Sequence, residues 1–278
     1  MAVGLIASLV LLVAAASASA AKEFEVFNQC PTSNAEAEFC IYSKTLGGEV
    51  AVGNTKVPIK NPITLQGGLD AETTVLIPAL NGETLSKTPQ TVPGGLLGIV
   101  APEGFPKWLQ EIFNNFINKG PLGVTATTEL VGQGEVHLSN LLGGGTPGVV
   151  LPVQVKLNNE FLGSKCIIGS KSSPIKLQLT TGETSPPKPN KSIKGKPGAI
   201  SLNAEENILF DKGFELVDNS FSAPAASGCA SQLLFLGEFF VDLAVNAKLG
   251  LPSAAGHNTA ILSGDQELAE AKVVKEHP

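Results

Sequence analysis

Apolar and polar residues alternate in short runs along most of this chain. Residues 22–27 (KEFEVF) set the pattern and are expected to form a first strand. Similar runs follow at 39–43, 49–52, 55–59, 63–65 and 73–77, broken by Gly, Asn or Pro. Residues 81–104 carry repeated Pro and Gly and read as loop. Strands resume at 124–131, 135–138, 149–157, 166–168 and 174–180, then at 199–202, 208–210, 214–217 and 259–262. Short strands at near-regular spacing predict a mainly β fold, an antiparallel β-sandwich or barrel-like domain.

The period lengthens twice, predicting two α-helices packed on that domain. In PKWLQEIFNNFINKGP (106–121), Trp108, Leu109, Ile112, Phe113, Phe116 and Ile117 share one helical face. Pro106 suits the first turn, Gly120 a left-handed cap and Pro121 a stop. The opposite face holds Gln110, Glu111, Asn114, Asn115 and Asn118, not the lysines of a membrane-surface helix, so the helix is expected to cover the β core. After Cys229, Leu233, Leu236, Phe240, Leu243 and Ala247 step by three or four, widened by Leu234, Phe239 and Leu249. This second helix is expected to be largely buried.

The amino terminus changes the picture of where the chain folds. An apolar run at 3–16 leads into Ala18-Ser19-Ala20, the small-x-small pattern of a cleaved secretory signal at 1–20, with an uncleaved membrane anchor as the alternative. No Lys or Arg precedes that run, which is atypical. Residues 21–264 are expected to form a single β-rich exported domain and 265–278 an acidic C-terminal tail. The expected location is extracellular or at the cell envelope, with no transmembrane anchor in the mature form.

In such a setting the four cysteines are expected to form disulfides, with three possible connectivities. Cys30 and Cys40 bracket a short polar loop, which favours pairing them and leaves Cys166 with Cys229. A metal site is not expected, because no Cys-x-x-Cys pair exists and the three histidines are scattered. The net charge is −6, and every basic residue is Lys, so the chain has no planar guanidinium fork for phosphate or guanine. Nucleic acid is therefore not an expected partner.

Residues 184–197 (TSPPKPNKSIKGKP) read as the least structured stretch of the chain. Lys188, Lys191, Lys194 and Lys196 cluster there, as a solvated loop or, alternatively, as a contact for an acidic cell-envelope polymer. Asn190-Lys191-Ser192 is a glycosylation sequon.

Catalytic chemistry is sparse. Ser253 and His257 lie four residues apart in GLPSAAGHNT, but a nucleophile elbow needs glycines two residues either side of Ser. Gly250, Leu251 and Pro252 instead have the order of a helix stop followed by a turn. His137 is expected to be solvated on a strand. Glu205-Glu206 and Asp70-x-Glu72 lack calcium-loop spacing, and Gly143-Gly144-Gly145 is not followed by the Lys of a phosphate loop. No catalytic residue and no cofactor is assigned.

Several segments resemble recurring segments of uncharacterised exported proteins from soil actinobacteria. They are CPTSNAEAEFCIY (30–42), ITLQGGLD (63–70), LGSKCIIGSKSSPI (162–175), LTTGETSPPKPN (179–190), VDNSFSAPAASGC (217–229) and NAKLGLPSAAGHNTAIL (246–262). The resemblance implies export and two disulfides, and implies no activity.

The leading expectation is a non-enzymatic exported protein with a structural, adhesive or envelope-associated role. The alternative is an extracellular carrier of an apolar, lipid-like ligand, suggested by thirteen Phe against one Trp and one Tyr. A hydrolase ranks third. A filled interior favours the first reading, and a cavity of several hundred Å³ lined by Phe and Leu the second.

Overall fold

The computed structural model describes residues 23–100, 104, 106–203, 207–230 and 238–277. The expected signal sequence lies outside the described residues, as do Leu233, Leu234, Leu236, Glu205 and Glu206. The chain runs through β1 (Phe39–Val52), β2 (Thr55–Pro58), β3 (Ile63–Leu69), β4 (Leu76–Pro78), β5 (Gln90–Val92), α1 (Lys107–Asn114), β6 (Val124–Leu130), β7 (Glu135–Val136) and α2 (Leu138–Gly143). It continues through β8 (Val149–Asn158), β9 (Ile167–Ile168), β10 (Ile175–Leu179), β11 (Ala199–Asn203), β12 (Ile208–Asp218), β13 (Ala226–Ser227), α3 (Glu238–Leu249), β14 (Thr259–Glu270) and α4 (Ala271–Glu276).

The strands form two antiparallel sheets. The first has the order β11-β12-β14-β1-β3-β4, with β2 also on β1; the second has the order β13-β9-β8-β6-β5, with β7 and β10 also on β8. They pack face to face as a sandwich, not a closed barrel. Alternate residues of both inner faces, among them Ile41, Leu65, Phe214, Leu151, Val153 and Leu177, form the main core.

Two breaks expected in the strands are bulges in longer ones. β1 continues through Gly47 and Gly48, with its register against β14 shifting between Thr45 and Gly47. Gly48 has φ +111, and a Cβ there would lie 2.0 Å from the Ile261 carbonyl oxygen, so the bulge needs glycine. β12 likewise runs through a bulge between Lys212 and Phe214.

Both chain ends depart from expectation. Of the strand expected at 22–27, the described residues 23–27 are not extended; Glu25–Phe27 is a single 3-10 turn. Phe24 and Phe27, three apart, both enter a second core on the outer face of the first sheet, with Ile208, Ala271 and Val274. The boundary expected at 264 falls inside β14, where Asp265 to Ala269 pair with both β1 and β12 and Glu270 with β1. Residues 265–270 thus belong to the central strand of the sheet, and α4 closes the second core.

The helix around 106–120 does not cover the β core. α1 continues into a π turn over Asn115–Lys119, and of its described side chains only Ile117 is buried, with Trp108 and Ile112 exposed. Gly120 is extended, with φ −80 and ψ −166, and not a left-handed cap. Trp108 and Ile112, expected on the buried face, thus stay outside the core.

Candidate functional site

Polar side chains on α3 decide how that helix sits. Cys166 and Cys229 are disulfide-bonded, as are Cys30 and Cys40. The Cys229 amide donates to Asp242 Oδ1 (2.8 Å). One turn later Asn246 brackets Ala226 of β13, accepting from its amide (2.7 Å) and donating to its carbonyl (2.9 Å). With Asp242 and Asn246 clipped to the sheet edge, Val241, Val245 and Leu249 point into the sandwich. Phe239, Phe240 and Leu243 are left 72%, 63% and 59% exposed. The expectation of a largely buried helix is thus corrected. A helix that is apolar nearly all round has no single stripe, and its hydrogen bonds choose which one is buried.

At its carboxyl end the helix stops as its sequence predicts. Gly250 is left-handed (φ +69) and Leu251 is buried. Lys248 Nζ reaches across to donate to the Leu97 carbonyl. Between α3 and the segments around 92–97, 122–124 and 157–162 lies a groove of about 400 Å³. Leu96, Leu122, Phe161, Phe240, Val241 and Val245 line it, and among its described lining residues Lys248 alone is charged.

The groove leads toward two smaller cavities between the sheets, of about 90 Å³ each. Val92, Leu157 and Leu249 form the wall between the groove and the first of these. Val50, Ile59 and Thr128 separate the first from the second. Ser43, Thr45 and Gln266 also line the second. Three separate spaces thus lie in a row from the groove to the middle of the sandwich, each divided from the next by three side chains.

Behind Gln266 sits Asp211, fully buried on β12. Gln266 Nε2 donates to its Oδ2 (3.0 Å), while Oδ1 faces the Gly198 backbone without a hydrogen bond of normal geometry. Burial holds the Asp211 carboxyl above its ordinary value of 3.8, against the opposing effect of the Gln266 hydrogen bond. The folded chain then holds this proton at pH values where the unfolded chain has lost it. Stability falls as pH rises from that ordinary value through the raised one. Asp211→Asn is expected to be more stable than the parent at neutral pH and to lose less between about pH 4 and neutrality. Urea unfolding at the two ends of that range checks it, and a variant weaker than the parent at neutral pH would sink the assignment.

The residues singled out from sequence are not brought together. Ser253 is buried, its backbone paired with Ala223, whereas His257 is exposed. His137 does not lie on a strand; it precedes α2, is half-buried and lies 3.4 Å from Glu135. Lys188, Lys191, Lys194 and Lys196 are all exposed, but their loop is well anchored. Thr184 pairs with Ile193, and the Asn190 amide donates to the carbonyls of Asn219 and Asn258, both at 2.9 Å. With its amide engaged, Asn190 does not present the sequon. Among the described residues no group of three or more His, Cys, Asp or Glu is placed to hold a metal.

Sequence reasoning missed Asn258, which adjoins His257. It also missed the polar clips Asp242 and Asn246. Compared with models of protein families, with curated proteins and with solved structures, the chain matches none.

Proposed function

We propose that this protein is a non-enzymatic, exported carrier of an apolar, lipid-like ligand. The groove under α3 carries the reading: about 400 Å³, walled by aliphatic and aromatic side chains, with one lysine at its edge. That volume lies within the range of small-molecule sites, and an apolar wall with few polar groups is their usual character. A structural or adhesive role asks for a filled interior, and the space beneath α3 weighs against it. Export is supported by the two disulfides, which fit folding in an oxidising compartment. Among the described residues no helix is long and apolar enough to cross a membrane.

The test is titration of the full chain with a neutral fluorescent hydrocarbon, phenylnaphthylamine. Saturable binding with enhanced emission is expected. Ala244 lines the groove on the solvent side of α3, so Ala244→Trp fills the space without disturbing the core. It should weaken binding at least about tenfold and leave the melting temperature close to the parent's. Absence of saturable binding, or binding that Ala244→Trp leaves unchanged, refutes the carrier reading. Native mass spectrometry of protein from its own culture supernatant gives a second view, as an adduct of lipid-like mass lost on denaturation.

A further inference from the structure

Ser43 on β1 lies opposite Gln266 on β14, and Gln266 lies opposite Asp211 on β12. Residues directly opposite in antiparallel strands share a face. Here it is the inner face, because Ser43 and Gln266 line the innermost cavity together with Leu151 and Val153 of the other sheet. Thr45, two residues beyond Ser43, and Thr128 from β6 complete a polar patch on an otherwise apolar wall. Ser43 and Gln266 are each only 7% exposed.

One amide hydrogen of Gln266 is committed to Asp211. Its side-chain oxygen and the hydroxyls of Ser43, Thr45 and Thr128 make no hydrogen bond to the described residues. Ser43 and Gln266 are buried and Thr45 and Thr128 half-buried, and polar groups left unpaired on the wall of a cavity are open to a partner from outside the chain. Their surroundings restrict that partner. To reach them from the groove it must pass two walls made mainly of aliphatic side chains, and an ionised group would lose several kcal/mol of hydration on that path. An anionic head would also meet the carboxyl of Asp211 behind Gln266. From Thr45, in the polar patch, to Val50, which also lines the middle cavity, is roughly 16 Å along β1, about the length of an extended twelve-carbon chain.

We infer that the groove and the two inner cavities form one site for a single-chain amphiphile with an uncharged hydroxyl head, such as a long-chain alcohol. The head lies against Ser43 and Gln266, and the hydrocarbon chain runs through the middle cavity toward α3. This inference rests on the carrier reading.

Competition against phenylnaphthylamine on the full chain separates the two. Dodecanol, dodecane, dodecanoate and dodecylamine are the competitors. Dodecanol is expected to bind roughly tenfold more tightly than dodecane, the worth of one well-made buried hydrogen bond. Ser43→Ala and Gln266→Leu should each shrink that advantage while leaving dodecane unchanged. Thr128→Val, which keeps shape and leaves Asp211 paired, covers the case in which Gln266→Leu does not fold. Equal binding of dodecanol and dodecane, an advantage that survives all three variants, or tighter binding of dodecanoate or dodecylamine overturns the inference and leaves the carrier reading standing. If dodecane does not compete, or the dye does not bind, both fall.

Discussion

Asn258→Ala should lower stability by about 3–5 kcal/mol, a drop in melting temperature of about 10 °C. Asn258 is fully buried, and its amide closes three separate backbone groups. Its Oδ1 accepts from the Gly53 amide (3.0 Å) at the β1–β2 turn. Its Nδ2 donates to the carbonyls of Phe221 (2.9 Å) and Ala254 (3.1 Å). Its own carbonyl receives the Asn190 amide, which ties in the lysine-bearing loop. Alanine leaves the Phe221 carbonyl buried and unpaired, at about 1–3 kcal/mol, strips the half-buried Gly53 amide and the Ala254 carbonyl of a hydrogen bond, and adds a small cavity. Asn258→Asp is the sharper variant. It keeps the acceptor for Gly53 but sets an oxygen against two carbonyl oxygens, so burial and repulsion raise its pKa. Stability of that variant should therefore recover as pH falls and worsen toward neutrality, opposite to a surface aspartate in an ion pair. Urea unfolding of the three proteins at acidic and neutral pH measures both effects. A loss below about 1 kcal/mol for Asn258→Ala would show that the turn is held by other contacts.

Removing the longer disulfide is the second large effect, and it reaches the groove. Cys166 and Cys229 close a loop of sequence separation 63, for which chain entropy gives about 4 kcal/mol. The Cys30–Cys40 loop, with separation 10, gives about 3 kcal/mol by the same reasoning. The two bonds differ more in consequence than in magnitude. Cys229 hands its amide to Asp242, so the longer bond fixes the edge to which α3 is clipped. Cys30–Cys40 joins the 3-10 turn to the outer face of the first sheet, away from the groove. The Cys166→Ala/Cys229→Ala chain is expected to lose both stability and phenylnaphthylamine binding, whereas Cys30→Ala/Cys40→Ala loses stability alone. Denaturant titration and dye titration of each pair decide it. Equal loss of binding in both would mean that the groove follows global stability and not the clip.

The alternation of short runs was enough to predict a β-sandwich, because a strand with one face on a core writes its burial at period two. Bounds were less legible. Gly47-Gly48 and Gly213 read as breaks, since sequence alone does not distinguish a turn from a bulge when the partner strand is unknown. Residues 265–270 looked like a tail because their charges mask a strand. That strand is built only by its pairing with β1 and β12, from opposite ends of the chain.

The site was hidden for the same reason. Leu96, Leu122, Phe161 and Val245 carry no motif; they become a groove wall only when α3 is laid over them. Ser43, Gln266 and Asp211, spread over more than two hundred residues, become neighbours only through strand register. Local order could be read from the chain by itself: period, helix stop, turn chemistry and the cysteines of a short loop, all set by interactions within a few residues. Which helix face is buried, where space is left open, and which polar groups meet there depended on contacts between distant segments, and those the tertiary structure alone decided.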